Sequence, residues 1–92
     1  MTAFYKLNGK VPVPTQNLKE IDIGRRVGLT EIGDIRVSTV FLGIDHNFCG
    51  GAPLLFETMI FGGPHDQEMQ RYSTWDEAEN GHEQMVELAK KV

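Results

Sequence analysis

VGLTEIGDIRVSTVFLGI, residues 27–44, carries the clearest structural signal in the chain. β-Branched residues dominate it, as expected of strands. Gly33-Asp34 sits in the middle with the residue types of a tight primed turn. A two-residue loop there sets Glu31 opposite Arg36, an opposite-charge cross-strand pair that supports the register. The segment therefore predicts a β-hairpin.

Two further strands come next, Leu54–Gly62 (LLFETMIFG) and Glu68–Tyr72. The connections Asp45–Pro53 (DHNFCGGAP) and Gly63–Gln67 (GPHDQ) are long for hairpins, and such loops more often carry function than the strands they join. Upstream, Phe4–Pro14 (FYKLNGKVPVP) contains Asn8-Gly9, a strong hairpin signal, while Pro12 and Pro14 confine the second arm to a sheet edge or a non-strand path. Thr15–Arg26 reads ambiguously: Leu18 and Ile21 fit a short helix, and Asp22 and Gly24 oppose it.

A helix closes the chain. Ser73 or Thr74 can cap it, and Thr74 with Glu77 has the spacing of a capping box. Asp76, Glu77 and Glu79 lie near its start and Lys90 and Lys91 at its end, both favourable to the helix dipole. Trp75, Ala78, His82, Met85, Ala89 and Val92 recur at helical spacing as one stripe, and Gly81 within it indicates close packing. The expected fold class is α+β: an antiparallel β-sheet meander of about four strands with one C-terminal amphipathic helix. Residues 1–92 form a single domain on this reading, divided into an N-terminal hairpin and irregular segment (1–26), the sheet (27–73) and the helix (74–92).

Alternation places Val37, Thr39 and Phe41 on one face of the second long strand and Ser38, Val40, Leu42 and Ile44 on the other. The next strand divides into Leu54, Phe56, Thr58 and Ile60 against Leu55, Glu57, Met59 and Phe61. Both faces are mostly apolar, whereas an antiparallel sheet with one wet face alternates more cleanly. One helix covers one face. The other is left to Phe4–Ile23 or to another subunit, where burial of four large side chains would contribute about 6–10 kcal/mol. A homo-oligomer, dimer or higher, is the expectation.

Ninety-two residues with a net charge of −4 describe one small globular unit. Residues 1–36 carry net +2 and residues 37–92 net −6. Direct nucleic-acid binding, which requires clustered Lys and Arg, is not expected. No apolar run reaches the length of a membrane span, so no membrane partner is expected either. One cysteine, Cys49, excludes an internal disulfide and fits a reducing compartment.

Several residues invite chemical roles. His46 and Cys49, with His65, have the side-chain types of a zinc site but fall short of four ligands, so no metal is expected. The simpler reading has Asp45 and Asn47 building the loop through side-chain to backbone hydrogen bonds. Cys49 with His46 as a nucleophile and base lacks an orienting third group. No phosphate-loop or dinucleotide motif occurs, and no cofactor is expected. His82 reads as a hydrogen-bonded core histidine. Glu57, in mid-strand among apolar residues, requires either solvent or a partner such as Arg71 or His82. Arg71, Tyr72 and Trp75 cluster at the strand-to-helix junction, where they could hold a planar anion; the plainer reading makes Trp75 the first core residue of the helix.

Val37–Phe48 (VSTVFLGIDHNF), Pro53–Gly63 (PLLFETMIFGG) and Arg71–His82 (RYSTWDEAENGH) resemble a family of small uncharacterised proteins encoded in bacteriophage and prophage genomes. The likeness spans Ile32–Met85, more than half of the chain. It implies a phage origin and a host-cytoplasmic setting, and it assigns no reaction. The functional expectation is a non-catalytic accessory protein that modulates a host process. In an anti-defence role it would sequester a nucleotide-derived signal or bind a host protein. His46, Phe48, Glu57, Arg71, Tyr72 and Trp75 are the candidate ligand-binding residues. The alternatives are a small acid–base hydrolase or lyase using Asp45, His46 and Glu57, or a minor oligomeric component of the virion or its assembly.

Overall fold

The computed structural model describes residues 4–47 and 50–91. Six strands are followed by one helix: β1 (Phe4–Asn8), β2 (Val11–Thr15), β3 (Arg26–Ile32), β4 (Ile35–Phe41), β5 (Phe56–Phe61), β6 (Met69–Tyr72) and α1 (Trp75–Lys90). The four strands β3-β4-β5-β6 form an antiparallel meander in that order, and β1 and β2 form a separate two-stranded sheet. The α+β class and the C-terminal helix agree with the sequence. The short helix suggested by Leu18 and Ile21 is a single 3-10 turn at Leu18–Glu20, with the Asn17 side chain accepting from the Lys19 N–H.

The central hairpin forms as its residues dictate. Ile32 pairs with Ile35 and Glu31 with Arg36, leaving Gly33-Asp34 as the two-residue turn. The Glu31–Arg36 ion pair is 3.3 Å long but exposed, so its value lies in register more than in stability. The N-terminal hairpin differs by one position from the expected Asn8-Gly9 loop. Asn8 pairs with Val11, so Gly9-Lys10 is the turn, with Gly9 at a φ of 63°. A turn that needs positive φ only at its first position puts glycine there and leaves Asn8 in the strand. Pro12 and Pro14 then fall opposite Leu7 and Tyr5, at positions whose nitrogen faces away from β1.

α1 crosses one face of the meander and touches all four of its strands. Thr74 caps it, and the full capping box with Glu77 is present. The core beneath has two apolar clusters. One joins Leu7, Phe41, Leu55, Phe56 and Ala78, with Tyr5, Tyr72 and Trp75 packed against it. The other joins Val37, Ile60, Met85, Val86 and Ala89. The hairpin thus adds Leu7 and Tyr5 to the helix side of the sheet. It is also tied to the end of β4 by the Tyr5 N–H donating to the Gly43 carbonyl at 2.8 Å.

Gly81 is required by a close approach. A Cβ at this position would stand 2.2 Å from the Tyr72 ring. Gly81→Ala is therefore expected to destabilise the fold by about 1–3 kcal/mol through overpacking, outweighing the gain of about 1 kcal/mol in helix propensity. Urea titrations check this, and Gly81→Ala combined with Tyr72→Leu is expected to lose less than the two single costs together.

Candidate functional site

The residues singled out for chemistry occupy separate places. Asp45 Oδ1 accepts from the backbone N–H groups of Asn47 (2.8 Å) and Leu54 (2.9 Å), and the Asn47 amide donates to the carbonyls of Gly50 and Ala52. The β4–β5 connection is thus organised by the side-chain to backbone bonds expected of Asp45 and Asn47. The His46 N–H donates to the Leu54 carbonyl in the same turn. Phe48 and Cys49 lie outside the described residues.

Glu57 finds Arg71, one of the two partners named for it. They are cross-strand neighbours on β5 and β6, with Arg71 Nε donating to Glu57 Oε2 at 3.1 Å. The pair lies on the face of the sheet opposite α1. Tyr72, one residue on, points to the α1 side with Phe56. Trp75 packs there too, edge-on to Phe56 at 6.1 Å, with the Lys10 ammonium 5.8 Å from its ring centroid. Arg71 and Glu57 are therefore separated from Tyr72 and Trp75 by the sheet itself, and one chain does not assemble these residues into a single anion site. Trp75 is the first core residue of the helix. His65 pairs with Glu68 at 3.2 Å, and among the described residues no group of three His, Cys, Asp or Glu side chains could hold a metal.

A polar chain that sequence reasoning left unassembled runs across the α1 side of the sheet. His82 Nε2 shares a hydrogen bond with the Thr30 hydroxyl at 2.9 Å, and His82 Nδ1 shares one with the Thr39 hydroxyl at 2.7 Å. Thr39 is in turn bonded to Thr58, and both threonines are fully buried. The imidazole lies over Gly28, where a Cβ would come within 3.2 Å of the ring. The alternation of the sequence sets Thr39 beside Val37 and Phe41 and Thr58 beside Phe56 and Ile60; what it lacked was the register that aligns them with each other and with His82. The Tyr72 hydroxyl is buried beyond them, with Thr58 its nearest influence and no full hydrogen bond; burial pushes its pKa up.

Two open surfaces adjoin the four-stranded sheet among the described residues. The sheet face away from α1 carries three rows of residues, read from the pairing register. Leu29, Ser38, Met59 and Met69 form the middle row, Arg26, Val40, Glu57 and Arg71 one flank, and Glu31, Arg36 and Phe61 the other. Leu29, Phe61 and Met69 are 40%, 44% and 39% exposed. The second surface is a groove of about 660 Å³ between the free edge of β3 and α1, whose lining includes Thr30, His82, Glu83, Val86 and Glu87. Comparison with protein-family models, curated proteins and solved structures finds no match to this chain.

Burial lowers the pKa of His82 below the ordinary 6.5, opposed in part by Glu83. The unfolded chain then takes up more protons than the folded one as pH falls through this range, so stability is expected to fall from the ordinary histidine value downward. Urea titrations between about pH 7.5 and pH 5 check the sign, and His82→Gln is expected to remove this part of the dependence. At neutral pH, Thr39→Val leaves His82 Nδ1 without its partner and is expected to cost about 1–3 kcal/mol.

Proposed function

We propose that this chain is a non-catalytic binding protein whose working form is a homodimer, held through the sheet face that α1 leaves open. The observation that carries the reading is the apolar middle row between two charged flanks, in which Leu29 and Met69 are exposed and Met59 between them is half-buried. A two-fold axis along that row sets Leu29, Met59 and Met69 against their own copies. It also brings Arg26 opposite the partner's Glu31, twice by symmetry. The charges complement one another and the apolar residues meet, which is the arrangement a self-associating face needs.

The size of the face sets the strength. Four strands about 4.8 Å apart and six residues rising about 3.3 Å each make a flat footprint of roughly 380 Å². A standard interface buries about 800 Å² per partner, so this contact belongs to the weak class. Association in the micromolar range is expected.

Protein contact fits the geometry better than nucleotide sequestration or acid–base catalysis. The side chains suited to a nucleotide-derived signal divide between the two sides of the sheet. The carboxylates suited to acid–base work are engaged, Asp45 with backbone N–H groups and Glu57 with Arg71. With the phage resemblance, the chain is read as an accessory protein acting on a host protein.

Sedimentation velocity over a dilution series tests the dimer. A mass that rises from monomer to dimer with concentration is expected. Leu29→Glu with Met69→Glu is expected to leave a monomer at every concentration while changing stability by less than about 1 kcal/mol, since both side chains are exposed. A wild-type chain that stays monomeric up to millimolar concentration sinks the proposal.

A further inference from the structure

Among the described residues no strand pairs with the outer edge of β3, and the backbone geometry of that edge is defined by the turn beside it. Ile32 and Ile35 close the two-residue Gly33-Asp34 turn, so Ile32, Thr30 and Gly28 direct their N–H and C=O groups toward β4. Leu29 and Glu31 therefore direct theirs outward, away from the sheet. The register shift between Arg26 and Gly28 breaks the edge at its other end, a common way of limiting edge pairing. What remains is a short, regular run of unpaired backbone groups.

This edge lies beside the groove against α1. Glu79, Glu83 and Glu87 recur at four-residue spacing along α1, and the grooves beside β3 are lined by all three. Glu79 is held at 3.7 Å by Lys10 and Glu87 at 3.4 Å by Lys90, both exposed pairs, whereas among the described residues no salt bridge engages Glu83. A strand added to β3 alternates its side chains between the two faces of the sheet. Those on the α1 side enter the groove over Thr30 and Val86, within reach of the glutamates. Those on the other side continue the apolar row at Leu29.

We propose that the β3 edge and the α1 groove together bind an extended, basic segment of another protein, which adds to the sheet as a fifth strand. Main-chain bonds to Leu29 and Glu31 supply the affinity. Basic side chains at alternate positions, directed at Glu83 and Glu87, supply the selection. Charge decides against a second copy of β3 at this edge, because a two-fold pairing there would bring two acidic helix faces toward one another. The inference rests on the reading of the chain as a binding protein and is independent of the dimer face.

The test is a titration of the isotope-labelled full chain with a synthetic peptide alternating Lys and Val, followed by amide shifts and hydrogen exchange. Binding is expected, with exchange at the Leu29 and Glu31 amides slowed about tenfold or more, a change of about 1.4 kcal/mol or more in opening free energy. Glu83→Lys with Glu87→Lys is expected to weaken binding at least about tenfold. A peptide N-methylated at the residues that face β3 is expected not to bind. Equal binding of a peptide alternating Glu and Val overturns the proposal, as does indifference to N-methylation. So does a response confined to Met59, Phe61 and Met69, and so does the absence of binding at about 1 mM peptide, the weak end of recognition. Leu29 and Glu31 amides already protected in proportion to protein concentration would mean that a second copy holds the edge, which also overturns it. Failure of the titration with the dimer intact by sedimentation rejects this inference alone.

Discussion

The imidazole of His82 must satisfy two ring nitrogens inside a sheet-helix interface, and the rest of the packing depends on how it does so. Buried polar atoms without partners are costly, and here two threonines from neighbouring strands meet the ring from either side. That arrangement pins α1 over β3 and β4 at one rotation and one height. It also leaves little room beneath the ring, where a Cβ at Gly28 would come within 3.2 Å of the imidazole. The neighbouring Gly81 allows the same turn of helix to settle onto Tyr72. The apolar clusters on either side of this polar chain supply the bulk of the burial, and the chain supplies the alignment.

Among the described residues, α1 and the β1–β2 hairpin both pack against the same face of the sheet. The hairpin does not fold over the other face, as one reading of the sequence allowed; its Leu7 enters the cluster beneath Ala78 instead. The open face and the open β3 edge meet at Leu29, whose side chain belongs to one surface and whose backbone belongs to the other. A face-to-face partner and an added strand approach along perpendicular directions, so the two modes of contact are geometrically compatible.

The four-stranded meander, the Glu31–Arg36 register and the Thr74 cap were legible because each rests on short-range rules: a two-residue turn, an alternation, a capping spacing. The placement of the functional candidates was less so. Arg71, Tyr72 and Trp75 are neighbours in sequence, yet β6 sends Arg71 and Tyr72 to opposite faces. The pleat thus divides a cluster that looked contiguous. Glu57 was expected to need a partner, and the strand register chose Arg71 over His82. The Thr30–His82–Thr39–Thr58 chain was hidden for a different reason. It joins four elements, and only their mutual register and the rotation of α1 bring its members together. The shift of the first turn from Asn8-Gly9 to Gly9-Lys10 shows how finely positive φ is assigned when a single glycine has to supply it.

The polar chain also divides what a spectroscopist would see. Trp75 is the one tryptophan in the sequence, and it lies in the hairpin-side cluster between Phe56 and Lys10. The cluster of Val37, Ile60, Met85, Val86 and Ala89 contains no aromatic ring. Indole emission therefore reports on the hairpin end of the molecule and is silent about the far end of α1. Any loosening that began at the C-terminal turns of the helix would pass unnoticed by fluorescence until it had crossed the histidine.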